Sequence, residues 1–337
     1  MTTRGKRFPW RSSVRIAVAH NLRSSEGPDQ RGFTSRQELD DLLASVASLG
    51  HSVEALEVSG ALAEVAGVLG ANRPDLVFNL AEGWSGPWRQ SAFPELYEEL
   101  GLPYTGSGPG ALALALDKHR TKVTLRQAGL PTPPSVFLTP GAATTELSGL
   151  PYPVIVKPNF ESCSKGITVN SLAHTPEEAA TLAAALLVEY PDGVIAEEYV
   201  PGRDITVPYL AAAGGPLPVA ETTMPTTAAA GGTFDYDLKQ DPTRWQHLKV
   251  PAPVPDDIAR RARHLTGLAV DALGLRDMAR ADFRLAPDGG LHLLEVNGLP
   301  GLPRDGATHR ASVVAGLAAD NGMAAAIIAS ALTRYAG

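Results

Sequence analysis

Arg280-Ala281-Asp282-Phe283, followed beyond a Pro287–Gly290 turn by Leu293-Leu294-Glu295-Val296-Asn297, reads as a β-hairpin with polar residues at every second position. Strand alternation puts Arg280 and Asp282 on one face, and Glu295 and Asn297 on one face of the partner strand. A register that brings those faces together makes three oxygen donors converge. Hard oxygen donors combined with substrate phosphates are what a magnesium ion prefers. The competing reading is a solvated hairpin with a cross-strand charge pair.

Upstream of the hairpin the chain alternates strand and helix signals. Val14–Ala19 is a short apolar run rich in β-formers, and Gln37–Leu49 carries apolar residues at helical spacing until Gly50 stops it. Val53–Val58 and Leu76–Asn79 continue the strands, with a helix over Ala61–Leu69 between them. The order predicts a parallel sheet with crossover helices and an α/β fold class. No GxGxxG follows the first strand, which disfavours a dinucleotide-binding domain. Pro109 suits a first helical turn after Ser107 and Gly108, and a second helix is expected from Lys118 to Ala128. Leu130-Pro131-Thr132-Pro133-Pro134 then forces an extended connection and marks a hinge.

Beyond the hinge, Pro153–Lys157 reads as a strand, 159–166 as a loop and Ile167–Ser171 as the returning strand. Thr175, Pro176 and Glu178 predict a helix start with a capping box. Strands are expected at Val194–Tyr199, Asp204–Leu210 and Pro218–Thr223, before a Gly- and Thr-rich loop that leads to Lys239 and Gln240.

Lys118 opens a helix, and Lys157 ends the apolar strand Val154-Ile155-Val156, where it must either snorkel or meet an anion. Each lysine alone reads as a surface residue. With the acidic hairpin they suggest clamps on a polyphosphate, since phosphoryl transfer needs fixed positive charge around developing negative charge. The Glu161-Ser162-Cys163-Ser164-Lys165-Gly166 loop has small residues that let backbone N–H groups approach a phosphate, although it lacks the GK[ST] ending of a P-loop.

Of the 337 residues, 44% are hydrophobic and 19% charged, which fits a folded chain of two or three units. The net charge of -7 argues against nucleic acid as a partner. A single cysteine, Cys163, excludes an internal disulfide and a multi-cysteine zinc site, and makes a reducing cytoplasm the simplest setting. Met1–Arg15 is basic but lacks a signal-peptide apolar run, and no stretch approaches the roughly 20 apolar residues of a membrane span.

The order Asp117-Lys118, Val156-Lys157-Pro158, Glu197-Glu198-Tyr199-Val200, Arg280-Ala281-Asp282 and Glu295-Val296-Asn297 resembles that of ATP-grasp ligases, and most closely the D-alanine:D-alanine ligases. Pro103-Tyr104-Thr105-Gly106-Ser107 and Asn297-Gly298-Leu299-Pro300-Gly301 are similar to the same family. The resemblance implies a three-domain ATP-grasp fold: an N-terminal substrate-binding domain over 1–110, a central domain over 111–192 and a C-terminal domain with the metal site over 193–337. It implies an ATP-dependent carboxylate-amine ligase that works through an acyl phosphate, with two magnesium ions. Small-molecule carboxylate and amine substrates, no membrane partner and room for a homodimer go with it.

Residue by residue, the resemblance places Lys118 and Lys157 on the ATP phosphates, with Lys157 also near the adenine. Glu197 would meet the adenine amino group, the Glu198, Tyr199 and Val200 backbone would form the hinge contact, and Asp204 would hold the ribose. Glu161 and Phe283 join these cofactor-binding positions. Lys239 would reach the γ-phosphate, and Asp282, Glu295 and Asn297 would hold the metal. Arg280 would stabilise the oxyanion, and Cys163 and Ser164, in the phosphate loop, are further catalytic candidates. For Cys163 a loop contact is favoured over nucleophilic catalysis, because no neighbouring histidine is visible to lower its pKa. Glu38 and Glu82 are candidates for gripping a substrate amine, and Gly301 is a further substrate-side position.

The substrate half departs from the family. Cys163-Ser164 stands where two serines are usual, Gln240 where a tyrosine is common, and Asn79-Leu80-Ala81-Glu82-Gly83-Trp84 where a histidine-containing glycine motif is expected. Leu302-Pro303-Arg304 replaces a serine-containing stretch. The alternatives on this scaffold are a true D-alanine:D-alanine ligase, a ring-closing ligase and a nucleotide-binding module that does not turn over.

Overall fold

The computed structural model describes residues 13–25, 27, 30, 32–168, 170–223 and 247–336. The first layer holds β1 (Arg15–His20), α1 (Arg36–Ser48), β2 (Ser52–Glu57), α2 (Leu62–Ala71), β3 (Leu76–Asn79) and α3 (Ala92–Glu99). Its three strands lie in the order β2-β1-β3, all parallel, with Ile16 opposite Val53 on one side and Leu76 on the other. Parallel neighbours need crossovers, and α1 and α2 supply them. Two helices follow, α4 (Pro109–Leu116), with Pro109 in its first turn, and α5 (Lys118–Gln127), capped by the Asp117 side chain on the Arg120 N–H.

The second layer is a four-stranded antiparallel sheet. It contains β4 (Ser135–Leu138), β5 (Val154–Pro158), β6 (Leu172–Ala173) and β7 (Val194–Glu198) in the order β4-β7-β5-β6, backed by α6 (Pro176–Glu189). Because β7 fills the gap between β4 and β5, this sheet runs to Glu198, past the boundary expected at residue 192. β4 was not expected after the proline run. Its Val136 and Leu138 join Val154, Val156, Ala179 and Ala196 in a separate core.

The third layer begins with β8 (Arg203–Leu210), β9 (Gly215–Pro216), β10 (Ala220–Thr223) and β11 (His247–Lys249), and continues with α7 (Asp256–Leu273), β12 (Met278–Leu285) and β13 (Leu291–Asn297). The strands follow the path β11-β10-β8-β12-β13, with β9 on β8. α8 (Ala307–Val314) and α9 (Gly322–Tyr335) close the chain. None of the described helices is long and apolar enough to cross a membrane.

Two expectations are corrected. The strand anticipated over Ile167–Ser171 forms only at Leu172–Ala173, because the Thr168 N–H donates to the Ser171 hydroxyl and the Asn170 N–H to the Thr168 hydroxyl. Such local side-chain bonds compete with the ladder. At α6, Thr175 caps the Glu178 N–H as expected, but the Glu178 carboxylate accepts from the His174 N–H, one residue beyond the capping-box partner.

Asp277 joins the first and third layers. This residue is 2% exposed, and it accepts from the Gly106 N–H at 2.8 Å, the Ser330 hydroxyl at 2.7 Å and Arg334 Nη1 at 2.6 Å. Arg334 reaches on to the Tyr104 carbonyl at 2.6 Å. The end of the Tyr104–Ser107 motif, the start of β12 and α9 therefore share one carboxylate. Asp277→Ala should destabilise the protein by about 3 kcal/mol, since it leaves the Arg334 charge unpaired; urea unfolding at neutral pH measures this.

Candidate active site

The face expected to carry the hairpin chemistry forms as predicted. Arg280 lies opposite Asn297 and Asp282 opposite Glu295, so all four stand on one side of the sheet. The Asp282 carboxylate accepts from Thr206 Oγ1 at 2.9 Å, Arg280 Nη2 at 2.7 Å and Asn297 Nδ2 at 3.0 Å. Burial alone would lower the Arg280 pKa, but Asp282 and then Glu295 hold it above the usual arginine value. Among the described residues no three His, Cys, Asp or Glu side chains cluster for a metal. The available set is two carboxylates and the Asn297 amide, whose hard oxygens suit a divalent cation such as magnesium.

Lys118 connects this set to the rest. Its Nζ lies 3.5 Å from Glu295 Oε2 and donates to the Glu161 carbonyl. Burial pushes the Lys118 ammonium below the usual lysine range; Glu295 opposes this, while Lys157 and Arg89 add to it. The helix start that carries Lys118 is pinned to the phosphate loop by Asn159. The Asn159 amide donates to Asp117 Oδ1 at 2.8 Å and accepts from the His119 N–H at 2.9 Å.

Lys157 meets an anion inside the protein. Its Nζ lies 2.6 Å from Glu197 Oε1, and Lys122 Nζ lies 2.9 Å from Glu197 Oε2. Burial would raise the Glu197 pKa, yet the two lysines hold it below the usual glutamate range. Glu197, placed at the adenine by resemblance, is thus the shared counter-ion of two buried cations. Lys122 also donates to Thr132 Oγ1 at 3.0 Å, and Thr132 donates to the Leu293 carbonyl at 2.8 Å, so the proline-rich connection is tied to β13.

The hinge residues are in place, with partners already assigned. The Glu198 and Tyr199 N–H groups donate to the Pro134 and Pro153 carbonyls. Buried Arg284 donates to the Val200 carbonyl at 3.0 Å, to Asp204 Oδ1 at 2.8 Å and to the Tyr199 hydroxyl at 3.1 Å.

Several expected positions have other duties. Phe283 is 1% exposed in the main core, because alternation sends it to the opposite face from Asp282; it is removed from the nucleotide-contact set. Glu38 forms the capping box of α1, with its carboxylate accepting from the Ser35 N–H at 2.7 Å, so it serves the helix rather than a substrate amine. Glu82 is buried and bound by Arg89 Nε at 2.7 Å and Gln90 Nε2 at 3.1 Å. Cys163 and Ser164 adopt positive φ of 56° and 60° in the loop, and Cys163 is exposed within electrostatic range of Arg280. Gly301 is exposed next to Pro303. Lys239 and Gln240 lie outside the described residues.

The sequence reading missed Lys122, Arg284 and Arg89. Lys122 lies four residues after Lys118 on one helix face, and Arg284 two residues after Asp282 on one strand face, so periodicity pointed to both. Arg89 sits in an irregular stretch with no local pattern to mark it.

The sequence and the fold have counterparts among known proteins. Residues 124–332 match the family described as D-ala D-ala ligase C-terminus. The chain belongs to the D-alanine–D-alanine ligase family. It is 37% identical over 243 residues to a D-alanine--D-alanine ligase of Caulobacter sp. (strain K31), covering 71% of this chain and 72% of that protein. It is 32% identical over 252 residues to an uncharacterised protein, y4sG, of Sinorhizobium fredii, covering 74% and 71%. In fold it resembles the D-alanine--D-alanine ligase of Bacillus anthracis, solved with ATP. The TM-score is 0.75 over 96% of this chain and all of that one, at 20% identity, a likeness that concerns the fold alone.

Glu197 predicts a pH dependence. Because its native pKa is lowered, its contribution is complete above the unfolded-chain value of about 4.3 and is lost as pH falls through the native one. Glu197→Gln should cost about 3 kcal/mol at pH 7 and flatten the acid limb of stability against pH, as read from urea titrations between neutral and acidic pH.

Proposed function

We propose that this protein is an ATP-dependent carboxylate-amine ligase: a substrate carboxylate is activated as an acyl phosphate, and an amine displaces phosphate to give an amide. The observation that carries the reading is the 3.5 Å contact between Lys118 and Glu295, which sets a buried cation clamp directly against the carboxylate-amide face of the hairpin. Family membership supports it.

ATP would supply the phosphoryl group and magnesium would offset its charge. Lys118 and Lys157 would bind the polyphosphate, Lys157 from its pairing with Glu197, and Asp282, Glu295 and Asn297 would supply oxygen donors for the metal. Arg280, fixed by Asp282, presents a permanent positive charge to an oxyanion forming at the attacked carbon. The loop around Cys163 and Ser164, both left-handed, would turn backbone N–H groups toward a phosphate. Asp204, whose carboxylate accepts from Arg284 at 2.8 Å, would accept from a ribose hydroxyl. Catalysis is then positioning and charge stabilisation rather than covalent attack by the protein.

The substrates are small carboxylates and amines of the amino-acid class. With Glu38 and Glu82 both engaged inside the protein, the amine half of the site differs from the expectation drawn from the family. We place the boundary between central and C-terminal domains after Glu198, where the second sheet ends. Cytoplasmic residence is consistent with the lone cysteine.

Purified protein given ATP, magnesium and a panel of amino acids and amines should release ADP with at least one pair, and product mass separates one-substrate from two-substrate chemistry. Lys157→Ala and Glu295→Ala should each lower that rate by at least about 100-fold. Full turnover in either variant overturns the assignment, and silence of the wild type across the panel favours a binding module.

A further inference from the structure

Arg89 belongs to the first layer but ends in the phosphate loop of the second. Its side chain is 1% exposed. Nε is bound to Glu82, Nη1 donates to the Phe160 carbonyl and lies 3.6 Å from Glu161 Oε1, and Nη2 lies 3.4 Å from the Ser162 hydroxyl. Three consecutive loop residues are therefore read by one guanidinium. Its own backbone is equally fixed: the Gly83 N–H donates to the Arg89 carbonyl at 2.8 Å, and a Cβ at 83 would come within 3.1 Å of Arg89 Cα. Gln90 Nε2 donates to the same Glu82 oxygen as Arg89, and the Glu82 backbone N–H donates to Asn21 Oδ1.

Other contacts also hold this segment: the Lys165 N–H donates to the Ser162 carbonyl at 3.1 Å, and the Phe160 ring meets Phe137 edge-on at 6.4 Å. Lys118 donates to the Glu161 carbonyl, and Lys165 pairs with the Glu161 carboxylate at 3.4 Å. Lys118, assigned by the ligase reading to the polyphosphate, would be drawn to it, whereas Arg89 approaches from the first layer with its forked donors matched to a carbonyl, a hydroxyl and two carboxylates. A planar fork with several donors fixes orientation in a way a single ammonium does not.

We propose that Arg89, oriented by Glu82, is a positioning residue that locks the Phe160–Ser162 segment of the phosphate loop and couples its closure to the first layer. The functional meaning of the loop rests on the ligase reading; the lock rests on the contacts of Arg89 alone. It places the gain from Arg89 in nucleotide affinity and loop order, with no contact to reacting atoms.

The test compares wild type, Arg89→Ala, Arg89→Lys and Glu82→Gln by hydrogen exchange without ligand, and by calorimetric titration with magnesium and a non-hydrolysable ATP analogue, adenylyl imidodiphosphate. In Arg89→Ala, exchange at 160–168 should rise at least about tenfold while 322–335 keeps its wild-type rate. Analogue affinity should fall roughly tenfold, and added guanidinium ion at non-denaturing concentration should restore both. Arg89→Lys should be intermediate in exchange, because one ammonium cannot serve Phe160 and Ser162 together; it also decides the matter if Arg89→Ala does not fold. Unchanged exchange at 160–168, or a rise spread evenly to 322–335 without rescue by guanidinium, overturns the inference. A wild type that fails to bind the analogue while the exchange result holds would sink the ligase reading and leave the lock standing.

Discussion

One irregularity in the β12–β13 ladder sets the geometry of the site. Asp282 pairs with Glu295 and Phe283 with Leu293, so Leu294 has no ladder partner. Before this bulge Leu291 and Leu293 face the core; after it Val296 does. An unbroken strand would keep one parity throughout, and burying the two leucines would then send Glu295 and Asn297 into the core as well. The bulge reverses the parity, so that β13 packs its apolar residues and still presents both polar ones beside Asp282. Lys118 finds Glu295 only because that reversal takes place.

Around this face the protein keeps its charges in closed sets. Glu197 is shared by Lys122 and Lys157, Arg284 by Asp204 and the Val200 carbonyl, and Asp282 by Arg280, Thr206 and Asn297. Buried charges without partners are costly, and pairing them holds each side chain in one orientation before any ligand arrives. Preorganised dipoles and charges need little rearrangement when charge develops during a reaction, which is where their catalytic value lies. The lowered proton affinity of Lys118 has the same origin: burial removes its hydration, and Glu295 opposes that loss.

Much of this was legible in the chain. Short apolar strands and crossover helices declared the first layer because local patterning and burial agree there, and alternation alone placed Arg280 and Asp282 on one face. Alternation also sends Phe283 away from that face; the resemblance-based assignment overrode it and was wrong. The bulge at Leu294 was not read from the sequence, because strict alternation gives the hairpin an unbroken ladder. What escaped were contacts between distant segments. Arg89 meets Phe160 some seventy positions away, and neither segment has a regular period to project from. Glu38 was ambiguous for the opposite reason: a glutamate three residues after Ser35 fits both a helix cap and a ligand grip, and only the fold shows that the cap takes it.

The shared carboxylate of Asp277 also bears on how the molecule comes into being. α9 supplies Ile327, Ile328 and Ala331 to the same core as Ile16, Val18 and Phe78, so the earliest strands and the last helix of the described chain complete one another. Contacts between such remote segments form late, since the loop they close must be ordered first. During synthesis the first layer therefore emerges with an apolar face uncovered until α9 is free to dock. In the cell, that interval is the one in which a chaperone has most to protect.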